Sequence, residues 1–424
     1  YLKISIDNLM KYFSILIFLI AFQVAFSQES ADIIEPEHIK TVTLRSTNSN
    51  KYAPIISLGE SFLISFDDLE ADQKDYFYKI EHFNFEWEPS GISDREFIAG
   101  YDQDRIRDFE NSFNTLQFFT HYKVSFPNRN TKIIISGNYK ISILNDDDEI
   151  LFTRRFIVYE PKVNVGVSVH RSRDVSESDT KQTVQFIINH PNLLINNPKQ
   201  EIKTVLLQNN DWNTAITDLE PQYYRGTQML YKYIDRTNFW AGNEFHNFDS
   251  KSVRNSTLTI ARVESGPELY HTILYTNEER IDRPYTLYPD INGNYVIRNI
   301  RGEDDAIDSD YTWVFFTLES LEDLEGKRIY VNGSFNNWRF DSSNEMTYNK
   351  NTGLYETKLL LKQGFYNYQY ITINQSDVIS NHDIDGSFYQ TENEYSVLVY
   401  YKKFGSRYDS IIGYGKGNSE NIQN

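Results

Sequence analysis

Cysteine is absent from all 424 residues. Disulfides therefore contribute nothing to stability, no lipoprotein anchor is expected, and the fold must rest on burial alone. Basic residues are outnumbered: 42 Lys and Arg face 60 Asp and Glu, a formal charge of −18. That balance argues against binding nucleic acid or anionic lipid head groups. Long apolar runs are missing apart from residues 12–26, so no other segment reads as a membrane helix and the chain is not expected to span a membrane. Catalytic signatures are missing too. His38, His82, His121, His170, His190, His246, His271 and His382 are scattered, with no pair at metal-ligand spacing. There is no G-x-S-x-G elbow, no P-loop and no dinucleotide fingerprint. Asp383, Asp385 and Gly386 form a fragment of a calcium-loop pattern whose remaining ligands are missing, so they read as a turn. No catalytic residue, cofactor site or metal site is assigned, and the chain is not expected to be an enzyme.

What the chain has in quantity is aromatic residues, 31 Tyr and 28 Phe among them. They fall at strand spacing, in short runs separated by Asn, Asp, Gly and Pro. This pattern predicts an all-β protein of several sandwiches. Residues 76–87 alternate aromatic and polar, as a half-buried strand does. Gly137-Asn138-Tyr139 opens another strand, with Tyr139 placed as a tyrosine corner whose hydroxyl bonds nearby backbone. Asp146 to Glu149 reads as a solvated hairpin turn. The only helix candidates are short and polar: residues 102–109 and 319–324.

Residues 1–27 read as a secretory signal peptide. An apolar run follows Lys11, and Ala25 and Ser27 fit the small-residue cleavage rule. Met10 is the expected start and Gln28 the expected mature end. Three consecutive immunoglobulin-like or early-set sandwiches are then expected, at residues 28–160, 161–300 and 301–403. A Gly, Ser, Asn and Tyr-rich tail at 404–424 is expected to trail or to lie over a surface. Pro161 marks the first boundary, because it removes a ladder donor and fixes φ. The acidic stretch Asp304 to Asp310 marks the second.

Several motifs carry a family likeness. They are Trp87-x-Pro89-Ser90, Gly100-Tyr101, Ser112-Phe113-Asn114-Thr115, His121-Tyr122, Phe126-Pro127-Asn128, Ser136 to Tyr139 and Arg154-Arg155-Phe156. A second block includes Asp385-Gly386-Ser387, Tyr389, Thr391 to Tyr395, Tyr400-Tyr401 and Arg407-Tyr408-Asp409. Together they resemble the plug protein family of the Bacteroidetes type IX secretion system. That resemblance implies a periplasmic, non-enzymatic interaction protein associated with the outer membrane through a partner. The implied partner is the outer-membrane translocon β-barrel, whose periplasmic opening the protein would occlude.

Gly333-Ser334-Phe335-Asn336-Asn337-Trp338 resembles the glycogen-binding type of early-set sandwich, in which this Trp stacks on a glucose ring. The second sugar-stacking Trp of that family has no counterpart between Ile371 and Ile379. The likeness is therefore read as one of fold. Carbohydrate binding at Trp338, by an exported binding or polysaccharide-processing protein, is the rival function.

Candidate partner-facing residues are Ser90, Phe113 and Asn114 on two specialised loops of the first sandwich. Phe239 and Trp240 are added from the aromatic run 231–248. The alternatives are that Ser90 and Asn114 satisfy backbone groups in tight turns, and that the run is core.

Overall fold

The computed structural model describes residues 32–47, 54–320, 324, 326–420 and 422. The expected signal peptide, Met10 and the cleavage site lie outside the described residues, as do positions 321–323 of one helix candidate. Strands dominate, as the aromatic alternation predicts, and they assemble around three apolar cores.

The first sandwich faces two sheets across an aromatic core. One sheet runs in the order Ile39–Ser46, Phe62–Asp68, Thr120–Phe126, Asp108–Asn111. The other runs Ile55–Ser57, Ile150–Tyr159, Gly137–Leu144, Phe77–Phe83, Gln103–Arg105. Phe66 stacks on Tyr122 at 5.3 Å, and Tyr139 stacks on Phe156 at the same separation. The Tyr139 hydroxyl donates to the Ile135 carbonyl at 2.8 Å, the expected tyrosine corner. Asn145 accepts from the Asp147 and Glu149 amides in the expected hairpin turn. Residues 102–109 are not helical. Their polar sequence forms two short edge strands, Gln103–Arg105 and Asp108–Asn111, whose ladder bonds to neighbouring strands outweigh a marginal isolated turn.

The second sandwich is completed from the far end of the chain. Its first sheet holds Asn164–Arg171, Lys181–Asn189, Gln228–Tyr231 and Tyr223–Arg225, with Asn238–Trp240 on the flank. Its second sheet runs Asp211–Ile216, Ile202–Gln208, Glu394–Tyr401, Ser410–Asn418. Residues 404–424 were expected to trail or lie over a surface; instead Ser410–Asn418 is a paired strand. Its glycines explain the composition that suggested a tail. A Cβ on Gly413, Gly415 or Gly417 would come within 2.9 Å of Val163, Val165 or Val167. The strand is glycine-rich because another strand passes directly over it.

The third sandwich is one sheet of 11 strands. It takes strands from both sides of the expected boundary near residue 300. His246–Asp249 pairs with Gly364–Ile373, and Tyr270–Leu274 runs parallel to Tyr311–Glu319. The chain thus leaves the second sandwich after Trp240 and re-enters it at Glu394. Local sequence pattern carries no trace of that exchange, since each strand reads alike whichever sheet receives it.

The sandwiches are fastened to one another. Phe83, Trp87, Ile157, Val205, Leu207, Leu398, Tyr400 and Ile411 form a buried cluster between the first and second. Trp87 lies past the end of strand Phe77–Phe83, in a turn at φ 61°, and meets Trp212 edge-on at 5.7 Å. Its aromatic bulk serves the junction rather than the interior of a single sandwich.

Candidate functional site

First and third sandwiches meet on a buried ionic cluster. Asp67 is the penultimate residue of the strand Phe62–Asp68, and Lys362 closes Leu354–Lys362. Lys362 Nζ donates to Asp67 Oδ2 at 2.6 Å and to the Ala306 carbonyl at 2.5 Å. The Tyr311 hydroxyl reaches the same Oδ2 at 2.6 Å, and His121 Nδ1 lies 2.6 Å from Oδ1. Lys362 also sits 4.0 Å from the centroid of the Phe119 ring. Burial alone would raise the Asp67 carboxyl. The Lys362 charge and the His121 hydrogen bond outweigh it and hold Asp67 below the ordinary carboxylate range. A second tie uses Glu35, which bonds Arg154 at 2.9 Å and Arg339 at 2.9 and 3.0 Å. Those two arginines overcome its burial and bring it down to about 2.

This junction positions one of the two candidate loops. Asn114 adopts φ 57°, the left-handed turn that Asn tolerates. The Ser112 amide donates to the Phe119 carbonyl at 2.8 Å. From the third sandwich, the Asp310 carboxylate accepts the Leu116 amide at 2.7 Å and the Gln117 amide at 3.1 Å. The Phe113 amide donates to Ile307 at 3.0 Å. Burial pushes the Asp310 carboxyl up, against these backbone donors. The loop is thus pinned at its backbone while its apolar side chains point outward. Phe113 is 70% exposed and Ile300 62%. With exposed Leu116 and half-buried Val253 they line a cleft of about 510 Å³, whose polar wall includes Lys251, Arg254 and Arg301. A cluster of exposed apolar side chains on a fixed scaffold is a docking feature.

The other candidates divide. Ser90 is buried, and its amide donates to the His82 carbonyl at 3.1 Å. It holds a turn and is no surface residue. Phe239 is buried against Tyr395 in the second core. Within the run 231–248, Tyr231, Phe239, Phe245 and Phe248 are core and Trp240 alone among its Phe, Tyr and Trp side chains is exposed. Trp240 stacks on His382 at 3.9 Å with Lys181 against its ring.

Trp338 is 8% exposed. It packs against Phe245, and a Cβ at Gly293 would lie 2.3 Å from its ring. Its carbonyl accepts from Asn213 at 2.9 Å. Three carboxyls lie in the same neighbourhood, Asp211 and Glu244 buried and Asp290 half-buried. Burial raises Asp211 and Glu244 to about 7 and Asp290 to about 6. They accept backbone amides: Asn213 for Asp211, Glu392 for Glu244, and Phe245 and Asn292 for Asp290. Trp338→Ala should cost about 3–5 kcal/mol, the usual loss for a buried aromatic. Thermal melting reads that loss, and native gels cast with soluble glucan should show no mobility difference between the two proteins.

Asp385 does not sit in a calcium loop. It is buried on Arg280 and His246. His38, Asp68 and Glu70 come within 4.8 Å of one another, a spacing that sequence order concealed. Lys74 already bridges Asp68 and Glu70, and the Tyr76 hydroxyl donates to Asp68 at 2.8 Å. A lysine ammonium thus fills the position a metal would take.

Asp67, Lys362, Glu35 and Arg339 were not singled out from sequence. The available signal was a charge in an apolar strand, as in Phe62–Asp68 and Leu354–Lys362. A partner hundreds of residues away has no local mark.

The family model described as "Type 9 secretion system plug protein 1st domain" matches residues 39–160, the span of the first sandwich. No curated protein matches the chain. A hypothetical protein from Parabacteroides merdae, with a crystal structure at 2.30 Å, is similar at 34% identity and a TM-score of 0.88. The likeness covers 91% of this chain and 98% of that one. The BSP domain of a biofilm associated protein, at 7% identity and a TM-score of 0.15 over 91% of this chain and 60% of that one, carries no argument. With its first sandwich matched and nearly its whole length shared with a relative, the chain belongs to the type 9 secretion system plug protein family.

Proposed function

We propose that this protein is a non-enzymatic periplasmic component of the type IX secretion system that closes the periplasmic opening of the outer-membrane translocon barrel. Family membership supports a role in that system. The observation that carries the finer reading is the apolar cluster of Phe113, Leu116 and Ile300, exposed beside a locked junction. A channel wide enough for folded cargo leaks unless something rigid blocks it. A stopper needs shape and a reversible interface, and no active site. Three sandwiches joined by buried contacts supply the rigidity. A fixed apolar cluster with a polar rim supplies the kind of interface that forms and parts. Sugar binding has no comparable support, because the Trp338 ring is enclosed.

Phe113→Arg with Ile300→Glu tests the reading. Both side chains are exposed, so melting should be unchanged. Recovery of the barrel with the tagged variant from gently solubilised membranes should fall about tenfold or more, the loss expected on removing an interface anchor. Undiminished recovery would remove this surface from the interface.

A further inference from the structure

A second cleft, of about 360 Å³, opens in the third sandwich, away from the residues of the docking loop. Its rim is apolar. Leu258 is 99% exposed, and Tyr275 and Tyr288 are each more than half exposed. Its floor holds Arg280, whose side chain is only 17% exposed. Arg280 is fixed from one side. Its backbone amide and that of Ile281 both donate to the Ile384 carbonyl, at 3.0 and 3.1 Å. Its Nε donates to Asp385 Oδ1 at 2.7 Å, an oxygen that also meets His246 Nε2 at 3.0 Å. His246 in turn stacks on Tyr368, another lining residue. Neither terminal nitrogen of Arg280 has a hydrogen-bond partner among the described residues.

Held through Nε alone, the guanidinium leaves its two outer nitrogens open to the cleft. Its outer nitrogens form a planar fork, the geometry that takes a carboxylate through two parallel hydrogen bonds. The charges around the cleft favour a single negative charge over a doubly charged anion. Asp385 lies beneath Arg280, and at the mouth Glu278 pairs with Arg283. The rim favours a polypeptide over a sugar acid. Leu258 offers no hydrogen bond to a hydroxylated ring, and the Asn277 carboxamide oxygen is already engaged by the Tyr368 and Tyr370 hydroxyls. We propose that this cleft binds an acidic side chain of a polypeptide partner, its carboxylate paired on the Arg280 fork and its apolar neighbours laid against Leu258, Tyr275 and Tyr288.

The test uses the whole chain and a short capped peptide with one glutamate between two phenylalanines. A counterpart carries glutamine instead, and titration calorimetry reads both. The glutamate peptide should bind roughly tenfold to a hundredfold more tightly, the range for a hydrogen bond to a charged group. Arg280→Gln should abolish the difference. Because that change strands Asp385, Leu258→Glu and Tyr288→Ala serve as independent variants. Both sites are exposed, so melting should hold while affinity drops about tenfold. Equal binding of the two peptides would overturn the proposal. So would undiminished binding to Leu258→Glu, absence of saturable binding, or uptake of a polyuronate in place of the peptide.

Discussion

Replacing Lys362 with methionine should destabilise the protein by about 3–5 kcal/mol, the cost of leaving a buried charge without its partner. Methionine keeps most of the volume, so packing changes little and the loss isolates the charge. Asp67 is fully buried and, among the described residues, bonds the third sandwich through Lys362 and Tyr311. The first and third sandwiches should therefore loosen against each other. Differential scanning calorimetry reads the loss, and proteolysis within 304–310 reads the loosening. A melting profile equal to wild type would show that the cluster fastens nothing. Replacing Asp67 and Lys362 together with apolar residues should recover much of the stability, because the expense lies in the unpaired charge.

The pH dependence carries an independent sign. In the native chain the Asp67 carboxyl titrates below its ordinary value of about 3.9. A depressed carboxyl contributes stability that is fully present above the unfolded value and fades as pH falls through the folded one. Without Lys362, burial dominates and raises the same carboxyl. A raised carboxyl contributes stability at low pH that is lost as pH climbs through the folded value. The gap between native chain and variant should therefore widen from pH 4 towards pH 7. A gap independent of pH would mean that the lost stability comes from packing.

The sequence showed what is local and concealed what is assembled. The tyrosine corner at Tyr139 was legible because the hydroxyl bonds Ile135, four residues upstream. The strands Gly137–Leu144, Lys181–Asn189 and Ile202–Gln208 were legible from alternation and β-branched content. Phe113 and Asn114 were legible as a specialised loop, though nothing local tied Phe113 to Ile300, its companion across the cleft. Ser90 and Phe239 failed as surface candidates for a shared reason. A polar residue beside proline and an aromatic beside tryptophan read alike whether packed inward or outward, and only the sheet that receives them decides. The helix expected at 102–109 failed because edge strands are short and polar, and their ladder partners lie elsewhere in the chain.

Cutting the chain after Phe404 should have the largest effect of all, and composition alone argues the opposite. Gly405 onward looks like a dispensable tail, yet the strand Ser410–Asn418 forms one edge of the second sheet of the second sandwich. Ile412 belongs to that sandwich's core, and Ile411 to the junction with the first. The backbone ties are as direct. The Ile411 carbonyl accepts the Glu160 amide at 2.9 Å, and the Ile412 carbonyl accepts the Lys162 and Val163 amides at 2.9 and 3.0 Å. These residues are the linker between the first two sandwiches. Removing the strand strips one edge of Glu394–Tyr401, which keeps only its ladder to Ile202–Gln208, and uncovers two apolar clusters at once. The truncated chain should lose cooperative melting of the second sandwich, read by near-ultraviolet circular dichroism and limited proteolysis. A stop after Ile422 should melt as the native chain does, since Ser419, whose hydroxyl bonds the Thr391 carbonyl at 2.7 Å, and Ile422, which packs against the second core, are then retained. Gly415→Val probes the same strand without shortening it. A Cβ there would lie 2.6 Å from the Val165 carbonyl oxygen and 2.7 Å from the Val165 Cβ. One of those contacts is backbone, so a rotamer change cannot relieve it, and the loss should reach or exceed the ~1–3 kcal/mol of ordinary overpacking. If both the truncation and Gly415→Val melted like the native chain, the strand would be a passenger. The closeness of three successive glycines to three successive valines argues that it is the closing wall.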